Sequence, residues 1–254
     1  MAYLNSRNAF FTGFPFTTLV VTLPQRFQAI NSSSPSTAGL LLLPLLLISP
    51  FASGLAAFLG HKMHIPPFYL ILFGSATQLL GVGLMLTLPT TPDSGGSFEI
   101  FKPQYVYEIL MGLGFGLVLT SLLGFVPLVI SKADLSIMLG AVTQVRVLGG
   151  TIGLAISSTI LNSYVTSALE GSTLTLEQME AIGQSLSAIG SLSEEQQLFV
   201  RGVFARGYER QMRVTVGFSG CVLLAGFLMW EKVPRRFEDP GEAQPQEGES
   251  VVVD

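Results

Sequence analysis

Residues 37–60, TAGLLLLPLLLISPFASGLAAFLG, contain no charged side chain, and a run of that length dictates the solvent in which the chain folds. About 20 mostly apolar residues wound as a helix match the hydrocarbon thickness of a bilayer, and the helix satisfies its own backbone hydrogen bonds where no water is present. Five further stretches have the same character, at roughly 8–24, 67–89, 105–130, 136–165 and 214–230. The first of these is the weakest, being short and rich in Thr and Phe. Only 12% of the residues are charged, about half the fraction usual for a soluble domain. These features predict an all-α membrane protein in which six transmembrane helices form one bundle.

Residues 1–166 hold the first five spans. Residues 167–213 are polar and carry two capping-box patterns, Thr175-Leu-Glu-Gln and Ser193-Glu-Glu-Gln. They predict two amphipathic helices on the membrane surface, the second (QQLFVRGVFARGYERQMR) running directly into the last span. Residues 214–236 comprise that sixth span and a basic end. Residues 237–254 form an acidic tail expected to be disordered, because it is poor in apolar side chains. The N-terminus has one arginine before an apolar run without a small-residue cleavage site, which favours a first span over a signal peptide. The lone cysteine, Cys221, excludes an internal disulfide, and no basic block suggests nucleic acid. Pro15, Pro44, Pro50 and Pro127 lie within spans and favour kinks. Gly112/Gly116 and Gly149/Gly153 have the small-xxx-small spacing that lets helix backbones approach closely.

In the fifth span, GAVTQVRVLGGTIGLAISS, Arg146 stands almost alone among apolar and small residues. An arginine near the bilayer centre costs about 2.5–3.5 kcal/mol, against roughly −0.3 to −0.6 for each Leu, Ile or Val, so the span can still insert. At 100° per residue, Thr143, Arg146, Gly149, Gly150, Gly153 and Ser157 share one face, and Val145, Leu148, Ile152, Ala155 and Ile156 the other. A stripe of small and polar residues suits a helix packed on partners or lining a wet cavity. Three roles fit Arg146: a functional charge, a packing group bonded to carbonyls of a neighbouring helix, or a snorkelling side chain.

Glu108, one turn into the fourth span with Gly112 and Phe115 on its face, could bind and release a proton or stay hydrated at the interface. Gln28, at the end of the first span, could line a cavity mouth or be loop, as could Gln25 and Arg26, of which Arg26 favours loop. Gln78, in mid-span, could touch substrate or bond a neighbouring helix. Asn31-Ser32-Ser33 is a glycosylation sequon. His61 and His64 lack further metal ligands nearby and read as a polar turn. No nucleophilic triad, phosphate loop, cofactor motif or metal motif is present, so the chain does not read as an enzyme. If the N-terminus is cytoplasmic, Arg7, Lys62, Lys132, Lys232, Arg235 and Arg236 fall inside and Arg26, Lys102, Arg201, Arg206, Arg210 and Arg213 outside, which is a tie.

In order along the chain, FFTGFPFTTLVVTLPQRFQAINSSSPSTAGLLLLP, SGLAAFLGHKMHIPP, YEILMGLGFGL and GAVTQVRVLGGTIGLAISSTIL resemble the C-terminal six spans of the major facilitator superfamily. The likeness is to its fungal fourteen-span drug:proton antiporters. It implies one six-helix bundle of such a transporter, with both termini cytoplasmic and the segment before the last span extracellular. It also implies proton-coupled efflux of small amphipathic molecules, such as drugs, toxins or secondary metabolites, from a multi-pass protein of the plasma membrane. The implied partners are lipid, substrate, protons and a second six-span bundle or a homodimer. The chain departs from the pattern in having one bundle, in lacking the first-half signatures, and in placing Phe58 where the loop signature has an acid. Truncation is the expected explanation. A non-transporting structural or regulatory half, paired with another transporter or inert, is the alternative.

Overall fold

A computed structural model describes residues 2–92, 98, 100–172 and 174–230. The basic end at 231–236 and the acidic tail lie outside them. The described residues form eight α-helices and no strand: α1 (Ala2–Asn31), α2 (Pro35–Leu41), α3 (Leu43–Lys62), α4 (Pro67–Leu84), α5 (Gln104–Phe125), α6 (Leu135–Glu170), α7 (Leu176–Gln184) and α8 (Glu194–Phe227).

The helix ends follow local chemistry. Ser34 caps α2 by accepting from Thr37 N. Both capping boxes form: Thr175 pairs reciprocally with Gln178 at the start of α7, and Ser193 with Gln196 at the start of α8. The prolines divide into two kinds. Pro15, Pro24 and Pro50 lie inside continuing helices. Pro44 instead falls just past a break at Leu42 between α2 and α3, and Pro127 lies in the 3-10 turn Val126–Leu128 that ends α5. Each lacks the N–H that would extend the helix through it.

Four helical stretches are long and apolar enough to cross a membrane: Pro35–Lys62, Pro67–Thr87, Gln104–Leu128 and Leu135–Glu170. The expectation of six spans is met for these four. α1 and α8 are long enough, at 30 and 34 residues, but carry more polar and charged side chains. In α1 half of those polar groups turn inward. Asn5, Asn8, Thr12, Thr18, Thr22 and Arg26 are all buried. Asn5 Nδ2 donates to Leu122 O and Asn8 Nδ2 to Val222 O, both at 3.2 Å, tying α1 to α5 and α8. The expectation that Arg26 lies in a loop is overturned. α1 continues to Asn31, and Arg26 is buried within it, donating from Nη2 to Pro89 O at 3.3 Å.

α1 packs along α6 and α8; α5 packs along α3 and α4; α4 and α6 both meet α8. Three apolar clusters stack along the bundle. One joins Ala9, Phe68, Leu122, Val142 and Val222; a middle one joins Leu19, Leu23, Leu45, Met111 and Met212. The third joins Ile30, Leu161, Ile182, Ile189 and Tyr208, and it seats α7 and the 3-10 turn Leu186–Ser191 across one end of the bundle.

The tightest contacts are glycine seams. A Cβ on Gly149 would run into the Phe10 carbonyl, one on Gly153 into the Phe14 ring, and one on Gly13 into the Arg146 carbonyl. Gly112 and Gly116 press in the same way on the carbonyls of Leu45 and Ser49 in α3. A third seam, Gly74 and Gly81 against Gly114 and its neighbours, joins α4 to α5. Removing the Cβ lets dispersion and weak C–H···O contacts replace the hydrophobic drive that lipid does not supply. Gly149→Val is expected to lower stability by about 1–3 kcal/mol through overpacking. Gly140→Ala, where a Cβ meets nothing within 4 Å, is expected to leave the melting temperature of the detergent-solubilised chain unchanged.

Candidate functional site

Arg146 is half-buried where α6 leans past α1 toward α5 and α3. Its guanidinium carbon lies 5.9 Å from the centre of the Phe16 ring, within the range of a cation–π contact. Thr12, Ser49, Phe115 and Leu119 complete the surroundings, so four helices meet at this one charge. Among the described residues no carboxylate pairs with it; the ion pair seen there is Arg213–Glu209, on α8.

The stripe expected around Arg146 divides. Gly149, Gly150, Gly153 and Ser157 are buried, with the three glycines against α1, while Thr143 is exposed. Of the two settings open to that stripe, the glycine portion takes the packed one. The opposite side of α6 is uncovered, and it is not uniformly apolar. Gln144, Thr151 and Asn162 are exposed and Ser158 is half-buried. Spacings of seven, seven and four residues place the four on one line. They alternate with exposed Val147, Leu148, Ile152 and Ile156. Thr151 Oγ1 donates to Leu148 O, which satisfies its proton within the helix and leaves the oxygen facing outward. This polar line was missed because the sequence reading fastened on the charge. The signal was present in the seven-residue recurrence of Gln, Thr and Ser.

The other candidates do not join Arg146. Glu108 and Gln78 are wholly buried inside the bundle, 0% exposed, and neither their carboxylate oxygens nor their amide atoms have a hydrogen-bond partner among the described residues. Gln78 packs its backbone and Cβ on Gly114 of α5. Glu108 is set one helical turn before Gly112, on the helix that contributes Met111 and Phe115 to the middle cluster. Gln28 stands at the capped end. Its Nε2 donates to Pro24 O, and its side chain lines an open cavity of about 690 Å³ with Gln25, Ser32, Ser34, Gln184, Ser187 and others. Asn31 Nδ2, the atom a glycan would occupy, donates to Phe98 O at 2.9 Å. His61 lies in the last turn of α3 and His64 follows it at φ 52°; among the described residues no cluster of three or more metal-ligating side chains occurs.

Comparison with family models gives no match. Individual relatives do match. The MFS-type transporter FPY5 of Fusarium mangiferae is 43% identical over 229 residues, covering 90% of this chain and 37% of the relative. The MFS-type transporter VdtG of Byssochlamys spectabilis is 28% identical over 218 residues, covering 83% and 37%. The efflux pump dotC of Dothistroma septosporum is 26% identical over 229 residues, covering 85% and 37%. The chain thus spans little more than a third of the length of these curated relatives. Matched along nine-tenths of its own length at 43% identity, and built of membrane-length helices joined by glycine seams, the chain belongs to the major facilitator superfamily of transporters, of which it represents a part.

Proposed function

We propose that this chain forms one six-helix bundle of an efflux transporter for small amphipathic molecules, and that its α6 forms part of the wall of the substrate pathway. The observation that carries this is the polar line Gln144, Thr151 and Ser158 on the uncovered side of a membrane-length helix. Lipid offers those side chains no hydrogen bonds, so the face belongs against a second bundle or a water-filled cavity. The uncovered side of α3 differs. Its exposed Leu47, Phe51 and Phe58 are equally at home against lipid or protein. The partner bundle is a separate first half, a further part of the same polypeptide, or a second copy. Alternating access needs two bundles moving about the site between them.

In this scheme Arg146 holds four helices in register as α6 moves, and offers a positive charge to anionic groups of substrate. Glu108 takes up and releases the coupling proton, Gln78 supports the α4–α5 contact beside it, and Gln28 stands at the outer mouth. The plasma membrane is the natural site for such export.

Two measurements test the scheme. In a Cys221→Ser background, cysteines at 144, 151 and 158 are expected to react with a water-confined maleimide when the chain is paired with its partner bundle, and a cysteine in place of the wholly buried Ser157 is expected not to. Protection of all three from water, with reaction only toward a lipid-confined reagent, would count against the pathway wall. In vesicles carrying the paired bundles, efflux of a fluorescent lipophilic dye is expected to fall at least tenfold with Arg146→Ala and to recover in part with Arg146→Lys. Glu108→Gln is expected to abolish the dependence of dye movement on an imposed pH gradient. Dye movement absent in every pairing would favour the non-transporting half instead.

A further inference from the structure

The outward face of α8 changes chemistry at a single point. Arg206, Arg210, Arg213, Gly217, Gly220, Leu224 and Phe227 recur at alternating spacings of four and three, which places them on one side of the helix. Arg206, Arg210, Arg213, Gly217, Leu224 and Phe227 are exposed, and Gly220 is half-buried. The first three are cationic and the last four carry no charge. The change falls between Arg213 and Gly217. At that height the inward side of α8 packs Met212 and Val216 in the same cluster as Met85, in the turn that ends the α4 span. A boundary marked independently by a charge-to-apolar switch on α8 and by the end of a neighbouring span is where hydrocarbon gives way to headgroups.

The arginines are presented rather than neutralised. Arg210 sits over the ring of Tyr164 of α6, its guanidinium carbon 4.0 Å from the ring centre, a cation–π contact that leaves its N–H donors available. Arg206 donates through Nε to Gly202 O, and its terminal nitrogens extend beyond that contact. Arg213 alone meets an acid, Glu209, at 2.5 Å. A planar fork with paired donors matches phosphate oxygens, and an aromatic ring beside it is typical of the membrane–water interface.

We infer that Arg206, Arg210 and Arg213 form a docking strip for the phosphodiester headgroups of membrane lipids, anchoring α8 at the interface. This rests on α8 crossing the membrane as part of the proposed bundle. It also accounts for the arginines that level the charge count between the two sides: paired with lipid phosphates, they hold the helix on whichever side they reach.

The test uses the full chain purified in neutral detergent, with lipid binding read by native mass spectrometry. Dioleoylphosphatidylglycerol is expected to bind about thirtyfold more weakly to the triple variant Arg206→Gln, Arg210→Gln, Arg213→Gln, at about fivefold per arginine less the opposition of Glu209. Glu209→Gln, which leaves the strip intact, is expected to bind more tightly. Dioleoylglycerol, which lacks phosphate, is expected to bind both forms alike. Equal binding of phosphatidylglycerol to wild type and triple variant overturns the inference, as does competition by inorganic phosphate as effective as that by lipid, which would mark a free-anion site. A cysteine at Leu224, with Cys221 replaced by serine, separates the two levels in vesicles. Its labelling by a water-confined maleimide would break the spanning assignment. Its protection, with lipid binding unchanged in the triple variant, would break only the strip.

Discussion

The close approach of α1 and α6 is the constraint on which the rest of the bundle depends. Gly13, Gly149, Gly150 and Gly153 bring the two backbones near enough that any Cβ would meet a carbonyl, a hydroxyl or an aromatic ring. With α6 drawn in on that side, the rest follows. Arg146, one turn from Gly149 and Gly150, is carried past α1 to Phe115 and Ser49. The opposite side of α6 is left bare, with its polar line outward.

The parts of the fold most legible in the sequence were those set by local rules. Long apolar runs located the four strongest spans, and Ser/Thr-x-x-Gln located the starts of α7 and α8. Glycine spacing marked two of the three seams; the α4–α5 seam escaped because Gly74 and Gly81 stand seven apart on a helix whose partner glycine is distant in sequence. Properties of assembly were not legible. Arg26 looks like a loop residue until α1 is seen to continue past Pro24 and bury it against Pro89. Glu108 and Arg146 invite association as the two charges within strong spans, yet one is enclosed in the bundle and the other sits at its four-helix edge. Helical periodicity tells which residues share a face, but not which neighbour covers it.

The same limit explains why α1 and α8 fall short as spans by composition while serving as the centre of the bundle. In water a core helix is apolar inside and polar outside. Here α1 turns Asn5, Asn8, Thr12, Thr18 and Thr22 inward, and α8 turns Gln211, Thr215 and Ser219 inward, the last two bonded back to their own helix. Large apolar side chains still fill the interior, Phe14, Leu19, Leu23 and Phe27 of α1 among them, and others cover the outer surfaces of α3, α4 and α6. Lipid supplies no drive to bury leucine, so these buried apolar side chains act together with small residues that admit close packing and with side chains that donate to carbonyls. Among the four membrane-length stretches, those of α3 (with α2) and α6 each have only 22% of their most apolar segment buried and so offer a partner the most surface. Of the two, only α6 sets polar groups on that surface along its length, which makes it the helix whose environment decides whether a second bundle completes the structure.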